Sequence, residues 1–174
     1  MTATKPTKPL SLAKQYAHVE NISIFGITER MGPLGLQLYA ESFLRAAQAL
    51  PKPSVPFEPV RPYLVCHAVE LGLKAFLALK GLSMLELSDS SYGHKLIAIL
   101  EKAEGAGLLA TVPLSEEHRT AIRIASDYYA GKVFEYPAVG EALSSFPSMP
   151  PLDVLFDAAD RLIEAMAKPC RAAK

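Results

Sequence analysis

The sequence predicts an all-α fold, an antiparallel bundle of about five helices, on three observations. Apolar residues recur at three- and four-residue spacing in separate windows along the chain. Those windows are divided by segments dense in proline, glycine and serine. One window, residues 62–80, is apolar around most of its circumference, as expected of the central helix of a bundle.

The elements follow in order. Residues 1–14 are dominated by Thr, Lys and Pro and read as a disordered tail; residues 15–170 read as one domain. Residues 15–32 are ambiguous, and "ISIF" is compatible with a short strand or a packed turn. The first helix is expected from Pro33 to Leu50, with Leu36, Tyr39, Phe43, Ala46, Ala47 and Leu50 facing the core and Gln37, Glu41, Arg45 and Gln48 facing away. "PKPSVPFEPVRP" breaks it with five prolines.

The second helix runs from Pro62 to Lys80, with proline in the first turn and Gly81 as the stop. "LSDSSYG" is a loop. His94 opens the third helix, which runs to Glu104 with Leu96, Ile97 and Leu100 inward, and "GAGLLATVP" ends it. Ser115 is the expected N-cap of the fourth helix, to Ala130, with Glu116 and Glu117 suited to its first turn. Its inward stripe is His118, Ala121, Ile122, Ala125, Tyr128 and Tyr129. After a long irregular connection, the fifth helix runs from Pro151 to Lys168. There Leu152, Leu155, Phe156, Ala159, Leu162, Ile163 and Met166 share a face, and Asp157 can pair with Arg161.

Bulk composition narrows the function. At 174 residues the chain holds one full core. Its 18 basic and 18 acidic residues cancel, which argues against a protein organised around electrostatic capture of nucleic acid. Half of the residues are hydrophobic, which points to apolar surface covered by a partner subunit. Cys66 and Cys170 form neither a metal motif nor a disulfide framework, and a reducing, cytoplasmic setting fits them. "MTATKPTKPL" has no apolar core after its charges, so no signal peptide is expected. No uncharged apolar run approaches the roughly 18 residues of a membrane span.

The chemistry gathers in "YLVCHAVELGLKAFLALKG". At about 100° per residue, Tyr63, His67, Glu70 and Lys74 lie within roughly 60° of one another. Glu70 and Lys74 stand in the favourable order for an i,i+4 pair, and His67 lies one turn before Glu70. Such a stripe is either an internal network that fixes helix register or the lining of a nucleotide or phosphate site. A metal is not expected. His67 and Glu70 supply two ligands, but a carboxylate-bridged dimetal site needs a second such pair, and no other His has an acid at the matching position. His94, at a helix start, is expected to cap amides or accept a bond from Tyr92, with catalysis or nucleotide contact as the other reading. Tyr128, Tyr129 and Tyr136 suit packing better than base stacking.

The segments "HAVELGLKAFLALKG", "GHKLIAIL" and "YYAGKVFEYP" carry a resemblance. Their order and spacing over residues 33–137 resemble the HEPN family of small helical domains, with its Ala-x-Glu-x-x-x-Lys-Ala signature on the second helix, His-x-Leu at the third and an aromatic-Pro element after the fourth. The resemblance implies an antiparallel, commonly dimeric bundle. It implies partners such as a nucleotidyltransferase or an antitoxin, and nucleotide or RNA as ligand. It implies no cofactor. The nuclease branch of that family uses an Arg followed four to six residues later by a His, near the start of the last core helix. Here the one such pair is Arg61 and His67, at the start of the second helix with Pro62 next to the Arg, and Glu135 stands before Tyr-Pro where the family has Arg. Two expectations follow. A non-catalytic binding domain has a bonded His67–Glu70–Lys74 stripe and an apolar dimer interface. A metal-independent ribonuclease has Arg61 and His67 meeting their mates across a dimer in an open cleft, because acid–base cleavage needs a reachable imidazole.

Overall fold

A computed structural model describes residues 24–54, 58–140 and 146–173, with residues 24–31 described by their backbone. The described chain is all-helical: α1 Ile24–Ala49, α2 Val60–Leu79, α3 Met84–Ser88, α4 Leu96–Gly105, α5 Glu116–Ala130 and α6 Leu152–Ala172, with a 3₁₀ turn at Leu108–Ala110. The expected tail at residues 1–14 lies outside the described residues, as do Ile22 and Ser23 of "ISIF".

The central position of α2 follows from its composition. With apolar side chains on most sides it can be satisfied only by neighbours on most sides, and it packs against α1, α6, α4, α5 and α3. Val65, Cys66, Ala68, Val69, Leu73, Ala75, Phe76 and Leu77 are buried there. Among the described residues it is the one helix long and apolar enough to cross a membrane, but 61% of that window is buried inside the fold. It starts two residues before Pro62. The carboxylate of Glu58 accepts the free amides of Val60 (3.0 Å) and Arg61 (3.1 Å), a cap that proline at the N-cap position cannot provide.

The α2–α6 contact depends on Gly72. A β-carbon there would stand 2.8 Å from Cδ2 and 3.0 Å from Cγ of the fully buried Leu162. Glycine is a poor helix former, so its place mid-helix reflects this close approach. Gly72→Val is expected to destabilise the fold by about 2 kcal/mol through overpacking, read as a lower urea midpoint at unchanged m-value. An unchanged midpoint would show that Leu162 has room to yield.

Five helices lie where the periodicity puts them, with four differences. First, α1 breaks at Gly32, whose ψ of −176° is not helical, and resumes at Pro33. Its core face is Leu36, Ala40, Leu44 and Ala47, with Gln37 also buried; Tyr39 and Ala46 are exposed and Phe43 is half-buried. The face is turned by roughly 80° from the expected one, because apolar residues occupy both arcs and docking on α2 and α6 selects between them.

Second, "LSDSSYG" is not all loop, since α3 ends within it. Ser83 Oγ accepts the Glu86 amide and Glu86 Oε2 accepts the Ser83 amide, a capping box legible as Ser-x-x-Glu. Third, α4 begins at Leu96 rather than His94, and buries Leu96, Ile99, Leu100 and Ala103, with Ile97 only half-buried. Fourth, α6 continues past Lys168 to Ala172, with Pro169 in its last turns.

The stripe of α5 is buried at all six expected positions, from His118 to Tyr129. Ser115 caps it, and His118 takes the reciprocal part that Glu usually plays, its Nδ1 accepting the Ser115 amide at 3.1 Å. The proton of that imidazole is then on Nε2, which donates to Asp157 on α6 at 2.8 Å. Asp157 also accepts from Arg161 at 2.7 Å, and these bonds, Arg161 first, hold its carboxyl below the usual range. Glu104 binds Arg119 and Arg123, which ties α4 to α5.

Candidate functional site

The polar stripe of α2 closes around one carboxylate. Glu70 is 3% exposed, and its two oxygens are divided between partners from three elements. Oε1 accepts Lys74 Nζ at 2.6 Å, one helical turn on. Oε2 accepts the hydroxyl of Tyr129 on α5 at 2.6 Å and stands 2.9 Å from Nδ1 of His94, in the turn before α4. His67 Nδ1 lies 2.6 Å from the Tyr129 hydroxyl and 3.5 Å from Oε2. Lys74 spends a second proton on the carbonyl of Gly93 at 3.1 Å, which anchors the turn that carries His94.

These distances assign the protons. Burial pushes the Glu70 carboxyl up, but the neighbouring His67 imidazole, the charge and bond of Lys74 and the bond from Tyr129 outweigh it and hold the group at about 2. Glu70 is therefore ionised near neutral pH and only accepts. The single hydroxyl proton of Tyr129 goes to Oε2; burial first and then Glu70 raise that phenol well above its ordinary range. His67 Nδ1 must then be a donor to the Tyr129 oxygen, and His94 Nδ1 a donor to Glu70. Both imidazoles carry hydrogen on Nδ1, and their Nε2 atoms face away from the carboxylate.

Aromatic rings wall the cluster. Phe43 of α1 meets the His67 ring edge-on at 4.4 Å, and Tyr63 stacks on its other side at 6.0 Å with planes 8° apart. His94 and Tyr129 meet edge to face at 5.3 Å. The His67 side chain keeps 19% of its surface exposed and that of His94 keeps 48%, so the cluster is sealed at Glu70 and open at its imidazole rim.

No family model, curated protein or solved structure matches this chain.

The structure brings together five of the residues the sequence singles out: Tyr63, His67, Glu70, Lys74 and His94. His94 neither caps a helix nor bonds Tyr92. Its ring turns to Glu70, while α4 starts two residues later and its Ile97 amide donates to Ser126 Oγ at 3.2 Å. Arg61 is not part of the group. Its guanidinium donates to the carbonyls of Leu50 (2.9 Å) and Pro51 (2.6 Å) at the end of α1, and it borders a hollow of about 500 Å³ with Pro53, Met149 and Phe156. Six positions apart on one helix, Arg61 and His67 point about 120° away from each other.

Tyr129 is the participant that periodicity could not reveal: it sits on a buried stripe like any packing residue, and only the position of α5 shows its hydroxyl meeting Glu70. Tyr128 is buried as well, its hydroxyl accepting the Ser148 amide, whereas Tyr136 is 77% exposed. Cys66 and Cys170 are both free and buried.

Proposed function

We propose that this chain is a HEPN-like, non-catalytic binding domain that works as a homodimer, holding a partner protein or a nucleotide beside the imidazole rim. The observation that carries this is the uncovered apolar arc of α1. Tyr39 is 53% exposed, and Ala46 and half-buried Phe43 share its side of the helix. Phe43 touches His67, so the arc runs directly into the rim of the polar cluster. An apolar strip of this kind is what a second copy would cover. The partner suggested by the family resemblance is a nucleotidyltransferase or an antitoxin.

The non-catalytic reading rests on Arg61, which is bonded to backbone carbonyls and faces away from His67. The wild-type chain is expected to run as a dimer by light scattering on a sizing column. Tyr39→Glu should weaken the dimer by about tenfold or more while leaving the helical circular dichroism unchanged. No RNA cleavage is expected from wild type. A monomeric wild type overturns the dimer. Cleavage that disappears in a folded His67→Ala variant establishes the alternative, a metal-independent ribonuclease.

A further inference from the structure

The unexpected feature of the cluster is its third member. On α2, His67 and Glu70 present two metal-ligating side chains, which are not enough for a site. The turn anchored by Lys74 on Gly93 brings His94 to the same point, and one ligand atom from each of His67, Glu70 and His94 lies within 4.8 Å of the others.

We propose that His67 Nδ1, His94 Nδ1 and Glu70 Oε2 form a mononuclear site for a zinc-class divalent cation. Spacing, orientation and access support it.

The first is spacing. Tetrahedral Zn²⁺ with bonds of about 2.0–2.1 Å sets its ligand atoms about 3.3 Å apart. The two nitrogens stand 3.5 and 2.9 Å from Oε2, on either side of that value, and the three side chains place ligand atoms within 4.8 Å of one another.

The second is orientation. Lys74 occupies Oε1, which leaves Oε2 as the single coordinating oxygen and fixes its direction. Tyr129 donates to Oε2 as an outer partner that holds the carboxylate in place, and Phe43 and Tyr63 fix the His67 ring.

The third is access. His94 is half exposed, so a cation has an entry on the rim and a fourth position for water or an incoming ligand atom.

The proton balance closes. In the metal-free chain the N–H groups of both imidazoles point into the cluster. On binding, each neutral imidazole places its hydrogen on Nε2 and offers Nδ1 to the cation, so the His67–Tyr129 bond is given up, while Tyr129 keeps its proton, donated to Oε2 of the ionised Glu70. Imidazole with one carboxylate suits Zn²⁺ and neighbouring transition metals rather than Mg²⁺ or Ca²⁺, which prefer oxygen. The site lies within one chain and does not depend on the proposed dimer, so failure of either proposal leaves the other standing.

The test is equilibrium dialysis of the chelator-stripped full-length chain against Zn²⁺, followed by elemental analysis. One Zn²⁺ per chain is expected. His94→Ala and Glu70→Gln should each weaken binding by about tenfold or more. His118→Ala, which removes a His–carboxylate contact elsewhere in the fold, should leave it unchanged. Because Glu70→Gln disturbs a buried network, Co²⁺ added to wild type supplies a readout free of mutation: a four-coordinate site gives intense visible d–d absorption, which Zn²⁺ displaces. Absence of bound Zn²⁺, binding that survives His94→Ala, or a Co²⁺ spectrum identical to the free ion overturns the proposal.

Discussion

Replacing Glu70 by alanine is expected to cost about 3–5 kcal/mol of folding stability, the loss seen when one partner of a buried charge pair is removed. Glu70 is the shared acceptor of the cluster. Without it the Lys74 ammonium, 9% exposed, keeps only the Gly93 carbonyl, and the hydroxyl of Tyr129 and Nδ1 of His94 lose their acceptor. A buried charge left alone costs far more than the intact pair contributes. The double variant Glu70→Leu, Lys74→Met should therefore be appreciably more stable than Glu70→Ala, because it removes the stranded charge as well. Urea unfolding of the three proteins measures this. A loss below about 1 kcal/mol for Glu70→Ala would mean that water replaces the carboxylate and that the cluster is not sealed.

Acid should erode the same network in a defined window. Glu70 has an ordinary value of 4.5 and is held at about 2 in the fold. Between those values the unfolded chain binds the proton and the folded chain does not, so falling pH favours unfolding. The contribution is complete above pH 4.5 and is lost progressively as pH falls to about 2. The gap corresponds to about 3 kcal/mol. Urea midpoints of the chelator-stripped protein across this window should fall steeply. Those of Glu70→Gln should fall less, retaining the contributions of other carboxylates such as Asp157, whose carboxyl Arg161 and His118 also hold below its usual range. Parallel curves for the two proteins would place the acid sensitivity elsewhere.

Much of this was legible because helical periodicity is local. Whether His118, Ala121, Ile122, Ala125, Tyr128 and Tyr129 share a face depends on backbone geometry alone, and all six are buried. The alignment of Tyr63, His67, Glu70 and Lys74 follows from the same rule, as does the Asp157–Arg161 pair. Punctuation was legible for the same reason: Ser115 caps α5, and proline and glycine bound α2. The capping box at Ser83 was equally visible in the residues as Ser-x-x-Glu.

By itself, then, the sequence determined that the chain is a helical bundle, that α2 is its centre and that one edge of α2 is polar. Only the tertiary structure decided three things. It chose which apolar arc of α1 meets the core and left Tyr39 outside. It turned Arg61 to the carbonyls of Leu50 and Pro51 and away from His67. It brought His94 and Tyr129, 24 and 59 residues from Glu70 along the chain, to a single carboxylate oxygen. The reason is the same each time: these contacts join segments whose mutual position no local rule contains, and they exist only once the helices have docked.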